Sequence, residues 1–124
     1  MVKEIEYLND KYERLIASDL IAFERVVAQQ KVIGVYMIYN PRQELIYIGH
    51  TNNFHVRFGT DLKHESTHTI IRKLIKTGGF EDARQVVEFL KTQCKYQIEK
   101  CDSKREAEAL EHIAIYILNP LLNQ

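Results

Sequence analysis

The chain has 124 residues, 45% hydrophobic and 27% charged, with 17 basic and 17 acidic side chains and no net charge. That length supports one core, and the composition is that of an ordinary globular protein, which excludes a disordered or fibrous chain. No run of about 18 apolar residues occurs, so no membrane-spanning helix is expected.

Met1 to Asp10 is mixed in charge and predicts no signal peptide, so the expected setting is cytoplasmic: soluble and intracellular. Cys94 and Cys101 are expected as reduced thiols, and they lack the companions a structural zinc site needs. Charge is unevenly spread. Residues 31–79 carry seven basic and three acidic side chains, while both flanks are net acidic. Any polyanion should therefore meet the middle segment, weakly and with strong salt dependence.

Residues 3–29 have a helical period. Ile5, Leu8, Tyr12, Leu15 and Ile16 form one apolar stripe, and Ile21, Phe23, Val26 and Val27 continue it. Ser18-Asp19 offers a cap for a second helix within this stretch. Residues 1–30 are thus read as an N-terminal helical extension used for packing or oligomerisation, and 31–124 as the main domain of one compact unit.

Val32 to Tyr39 and Glu44 to Gly49 read as two strands joined by the turn Asn40-Pro41-Arg42-Gln43. A hairpin centred between Pro41 and Arg42 would set Tyr36 opposite Tyr47 and Gly34 opposite Gly49. Val35, Met37, Ile46 and Ile48 would share the other face. Two facing tyrosines are compatible with ordinary cross-strand packing or with a site whose glycines let a ligand approach the backbone.

After the polar loop 50–53 comes a short helix with Phe54, Val56, Arg57 and Phe58. A helix capped by Thr67 follows, with Ile70, Ile71, Leu74 and Ile75 inward and Arg72, Lys73 and Lys76 outward, stopped by Gly78-Gly79. Phe80 to Gln93 reads as another amphipathic helix, and Cys94 to Glu99 as a third strand. Ser103-Lys104-Arg105-Glu106 fits a capping box that opens the last helix, which Pro120 ends. That helix is apolar nearly all round and is expected to be mostly buried. Glu111 lies inside its apolar run. It either sits at the edge of the apolar face and reaches solvent, or is paired, protonated or metal-bound. The fold class is α/β in the α+β sense: a small three-stranded, mostly antiparallel sheet flanked by helices, with the N-terminal helical segment added.

The candidate site gathers Tyr36 and Tyr47, the glycines Gly34 and Gly49, Arg57, Glu111, and a positive field from Arg57, Lys63, Arg72, Lys73, Lys76 and whichever of His50, His55, His64 and His68 are protonated. This arrangement resembles the GIY-YIG nucleases. Gly34-Val35-Tyr36 stands at the first signature tripeptide and Tyr47-Ile48-Gly49 at the second. Arg57 lies at the usual distance beyond it, Leu110-Glu111-His112 resembles the acidic helix motif, and Pro120 with Asn123 resembles the closing Pro-x-x-Asn. The likeness spans residues 32–123.

The resemblance implies a metal-dependent endonuclease acting on DNA, with Mg²⁺ (or Mn²⁺) held by Glu111. It implies a phosphate braced by Arg57, and Tyr36 and Tyr47 orienting or deprotonating the attacking water. It places Gly34, Gly49, His50, His64, Arg72, Lys73 and Asn123 about the substrate, Asn123 fastening the chain end. The tyrosine face of the hairpin would be the floor of the cleft, closed by Glu111 from the last helix. Many members carry a histidine one turn after the arginine; here Asp61 stands there, with His64 or His50 as substitutes. That departure leaves a catalytically weak or inactive nucleic-acid-binding module of the same fold as the alternative. No membrane partner is implied, and a homodimer or a targeting partner protein stays open.

Overall fold

The computed structural model describes residues 2–23, 33–51 and 69–124. Helix α1 (Val2–Ala17) presents Leu8, Tyr12 and Leu15 to the core. It stops where the Ser18 hydroxyl donates to the Leu15 carbonyl at 2.7 Å, satisfying an orphan acceptor of the last turn. The helical period expected to run on to residue 29 is therefore broken. Ile21–Ala22 forms a two-residue strand, β1, paired antiparallel with β4 (Lys95–Lys100). An open strand edge offers backbone partners that a second helix would not use. Phe23 then packs on Tyr96, ring centroids 5.1 Å apart. Residues 24–29 of the expected helix lie outside the described residues.

Strands β2 (Gly34–Tyr39) and β3 (Leu45–Thr51) complete a four-stranded sheet in the order β1-β4-β2-β3, each neighbouring pair antiparallel. The sheet thus has one strand more than expected, and the addition is β1. Helices α1 and α4 (Lys104–Leu118) cover one face, where Tyr12, Leu15, Ala107, Leu110 and Ala114 meet Val35, Met37 and Ile48. Helices α2 (Thr69–Thr77) and α3 (Ala83–Gln93) cover the other, where Ile70, Ile71, Leu74, Val86 and Leu90 meet Tyr36, Ile38 and Tyr47. β2 lies inside the sheet and is buried on both faces, which explains its unbroken apolar run.

The hairpin register differs from the expected one. Gln43 takes a left-handed conformation (φ 63°), its N–H donates to the Asn40 carbonyl at 2.9 Å, and Asn40 N–H donates to Glu44 at 3.0 Å. The loop therefore holds three residues rather than two, a type I turn followed by a left-handed residue. A bulge beyond Tyr39 and Leu45 adds one further residue. Tyr36 pairs with Gly49, Ile38 with Tyr47 and Gly34 with Thr51. The total slip is two positions, so both tyrosines stay on one face. Ile46, expected with Met37 and Ile48, is turned by the bulge onto the tyrosine side.

Asp82 caps α3, its carboxylate accepting from Gln85 N–H at 3.0 Å. Gly78 N–H closes the end of α2 on the Leu74 carbonyl at 2.7 Å. Ser103 caps α4, and Glu106 reaches back to Asp102 N–H at 2.8 Å, the box inferred from sequence displaced by one residue at its return bond. α4, expected to be mostly buried, is fully buried only along the stripe Ala107, Leu110 and Ala114. At its far end Tyr116 is 88% and Ile117 54% exposed. The helix ends on Asn119 in a left-handed conformation (φ 44°), followed by Pro120 and a 3₁₀ turn, Leu121–Asn123.

Candidate active site

The two phenols are placed by β2 and β3. With Tyr36 opposite Gly49 and Tyr47 opposite Ile38, the rings are diagonal neighbours, centroids 6.2 Å apart and planes inclined at 42°. Both are enclosed, Tyr36 at 2% and Tyr47 at 9% exposure. Gly49 makes the arrangement possible. A methyl group there would lie 2.6 Å from Tyr36 Cζ and 3.0 Å from Tyr47 Cε2, so the Tyr36 phenol occupies the space that a side chain would fill. The expected opening for a ligand at Gly49 is thus taken by a catalytic-candidate side chain. At Gly34 a methyl group would meet the Glu99 carbonyl carbon at 3.2 Å, so that space belongs to the close approach of β4.

Lys73 stands beside Tyr47. Its ammonium lies 5.9 Å from the centroid of that ring and donates to the Leu122 carbonyl. Lys73 and Arg72 are adjacent on α2, but Arg72 is exposed on its outer side. Arg57, His64 and Asp61 lie outside the described residues.

Glu111 approaches β3 from the other side. Its neighbour Leu110 is buried on the α1/α4 face, and Glu111 itself sits at the flank of the stripe, its side chain 14% exposed. Its Oε2 lies 2.9 Å from Nδ1 of His50, whose side chain is 29% exposed. Alternation along β3 accounts for this: Tyr47 and Gly49 point to one face, Ile48 and His50 to the other. The expectation that Glu111 closes the tyrosine face from above is therefore corrected. α4 lies across the sheet from the phenols, and Glu111 comes to the outer edge of β3 through His50. This half-buried carboxylate lies at the edge of the apolar face and is paired there with His50, a residue that the resemblance places about the substrate. The same alternation could have placed it, because an odd offset from Tyr47 points it to the α4 side.

The chain end joins the two sides. From α4 it turns across the outer edge of β3, burying Leu122 in the cluster that holds the tyrosines. The side-chain carbonyl of Asn123 accepts Ile48 N–H at 2.7 Å, and its amide donates to the Ile48 carbonyl at 2.8 Å. Asn123 thereby completes an edge strand that would otherwise show unpaired groups. It holds the residue between Tyr47 and Gly49.

Among the described residues no group of three or more His, Cys, Asp and Glu side chains converges as a metal cage. Glu111 alone fits a hard, water-rich cation. Its Oε2 is engaged by His50, while among the described residues His112 Nε2 lies 3.9 Å from Oε1, within ion-pair range but beyond hydrogen-bond reach. One carboxylate plus water and phosphate oxygens is the usual ligation of Mg²⁺.

No curated protein matches the chain significantly in sequence. Solved structures that match include the GIY-YIG N-terminal endonuclease domain of UvrC from Thermotoga maritima, described as bound to its catalytic divalent cation, magnesium. It is 19% identical, and the match covers 81% of this chain and 92% of that one with a TM-score of 0.50. Two Tyr-to-Phe point mutants of the same domain, each bound to its divalent cation, match with TM-scores of 0.52 and 0.51 at 18% and 19% identity. They cover 81% of this chain and 92% and 91% of theirs. At such identities the likeness is one of fold. Residues 32–120 match the family model of the GIY-YIG catalytic domain, and the chain belongs to the GIY-YIG family.

Proposed function

We propose that this chain is a divalent-metal-dependent endonuclease that hydrolyses DNA phosphodiester bonds, with Tyr36, Tyr47, Arg57 and Glu111 as its catalytic residues. The observation that carries the reading is the Glu111–His50 pair at 2.9 Å on the edge strand β3, with the phenols of Tyr36 and Tyr47 on the opposite face of the sheet. Packing alone explains two tyrosines. It does not explain a carboxylate oriented at the flank of an apolar helix with one oxygen that, among the described residues, accepts no hydrogen bond.

Glu111 would hold Mg²⁺, the cation named for the UvrC domain of the same fold, or Mn²⁺ in its place. When bound, that ion supplies Lewis-acid polarisation of the phosphate and charge stabilisation at the leaving oxygen. The chain's own groups do the rest. The hydroxyl of Tyr36 or Tyr47 orients the attacking water, and the phenolate form of that same side chain accepts the water's proton and becomes a phenol. Arg57 braces the phosphate oxygens through its fixed fork of donors. Lys73 adds positive charge beside Tyr47, and Asn123 keeps the strand between the two site residues from shifting. Residues 1–30 act as an extension of the catalytic domain 31–124, and the DNA preference comes from that extension, from a partner protein or from recognition of branched or nicked DNA shape. No described helix is long and apolar enough to cross a membrane.

Asp61 in the expected histidine position favours a second reading, a DNA-binding module with little cleavage. Incubation with supercoiled plasmid and with branched DNA in Mg²⁺ or Mn²⁺ separates the two. The nuclease reading expects nicking or cutting by the native chain and its loss in Glu111→Ala and Arg57→Ala. DNA binding with no cleavage of either substrate supports the module.

A further inference from the structure

We infer that His50 is the positioning residue of Glu111: it fixes one carboxylate oxygen so that the other faces the metal. The inference rests on the proposed role of Glu111 as the metal-holding group. A carboxylate only accepts hydrogen bonds, so at 2.9 Å the proton lies on His50 Nδ1 and is donated to Glu111 Oε2. His50 is a rigid base for this bond. Its backbone is paired with Val35 of β2, and two residues before it Asn123 holds both backbone groups of Ile48. Glu111 stands on α4 between the buried Leu110 and Ala114, so its own backbone is equally fixed. What remains free in a glutamate is the rotation of its side chain, and the imidazole removes it.

The arrangement bears on the metal because the site is sparse. No described cluster adds further protein ligands to Glu111, so affinity depends on the aim of a single carboxylate more than it would in a cage. Among the described residues Oε1 accepts no hydrogen bond, the exposed His112 ring lying 3.9 Å from it. Outer hydrogen bonds of this kind typically change metal affinity by about 10–100-fold.

The test is a titration of the full chain with Mn²⁺ alone, read by electron paramagnetic resonance of the free ion, without reference to cleavage. The native chain should bind saturably and Glu111→Ala should not. His50→Ala should bind about 10–100-fold more weakly. His50→Asn, whose side-chain amide can place a donor near the position of Nδ1, should recover binding to within about threefold of native. Native-like binding by His50→Ala, or His50→Asn as weak as His50→Ala, overturns the positioning role; in the second case the imidazole acts as a ligand. Absence of saturable binding by the native chain, or binding unchanged in Glu111→Ala, instead overturns the metal role of Glu111 itself.

Discussion

Asn123 holds Ile48 at both of its backbone groups, accepting the N–H at 2.7 Å and donating to the carbonyl at 2.8 Å across 75 residues of sequence. A side-chain amide here does the work of a fifth strand. It binds the edge of β3 at the point between Tyr47 and Gly49 and ties the chain end to the sheet. Asn123→Ala removes both bonds and leaves two partly buried groups unpaired. It should lower the free energy of unfolding by about 1–3 kcal/mol, measured by urea titration. DNA cleavage should fall further than that loss accounts for, since Tyr47 sits next to the released residue. A variant as stable and as active as the native chain would show that the clamp is incidental.

Gly49→Ala tests the phenol arrangement. The new methyl group would lie 2.6 Å from Tyr36 Cζ, closer than real contacts allow, so the ring must move. Tyr36 is enclosed, and its displacement should cost about 1–3 kcal/mol as overpacking does. Near-ultraviolet circular dichroism of the tyrosines should change while the helical signal is kept. An unchanged aromatic spectrum at native stability would contradict the packing described.

Lys11 anchors α1. It is 7% exposed, donates to the Lys100 carbonyl at 2.6 Å, and lies 3.3 Å from Glu99 and 3.8 Å from Glu106. Lys11→Met leaves two largely enclosed carboxylates short of a cation, though Arg14 still reaches Glu99 at 3.2 Å. A loss of about 2–4 kcal/mol is expected, the carboxylates keeping some contact with water.

The acid dependence follows. Burial pushes the Glu106 carboxyl up, but the Asp102 N–H, the Tyr7 hydroxyl and the Lys11 ammonium outweigh it and hold its pKa below the ordinary 4.5. A lowered pKa contributes stability that is present above about pH 4.5 and is lost as pH falls through the lowered value. Acid titration of stability should therefore be shallower in Lys11→Met than in the native chain.

The cysteines should be inert. Burial pushes the thiols of Cys94 and Cys101 up to about 12, and Glu106 adds to the shift at Cys101 while Lys11 opposes it. Thiolate is the reactive form, so iodoacetamide at pH 8 should leave both unlabelled in the folded chain and label both in urea. The raised values also contribute stability that is complete below pH 9.0 and lost as pH rises toward 12. Rapid labelling of either thiol in the native state would show that its enclosure is not maintained.

The sequence carried the elements better than the register. Helices α2, α3 and α4 and strands β2, β3 and β4 follow from apolar spacing, the Ser103 box and Gly78-Gly79, each a local signal with a local cause. The hairpin offset was not legible because it depends on Gln43 in a left-handed conformation that its residue type does not favour, and on a bulge with no glycine to mark it. β1 was hidden for a related reason: Ile21-Ala22 pairs with Tyr96 and Lys95, 73 to 75 residues away, and has no pattern of its own. Tyr36, Tyr47 and Asn123 were named from their motifs, but the side of the sheet from which Glu111 arrives is a property of packing. The His50–Glu111 and Lys73–Tyr47 contacts each join residues far apart in sequence. No periodicity announces either.

The central claim is that the phenols and Glu111, on opposite faces of the sheet, serve one phosphodiester. Cleavage rates of the native chain on supercoiled and branched DNA in Mg²⁺, beside Tyr36→Phe, Tyr47→Phe and Glu111→Gln, test it most directly. Glu111→Gln and at least one of the tyrosine variants should each lose about 100-fold or more in rate with DNA affinity retained. Cleavage at the native rate in Glu111→Gln, or in both tyrosine variants, would contradict the account.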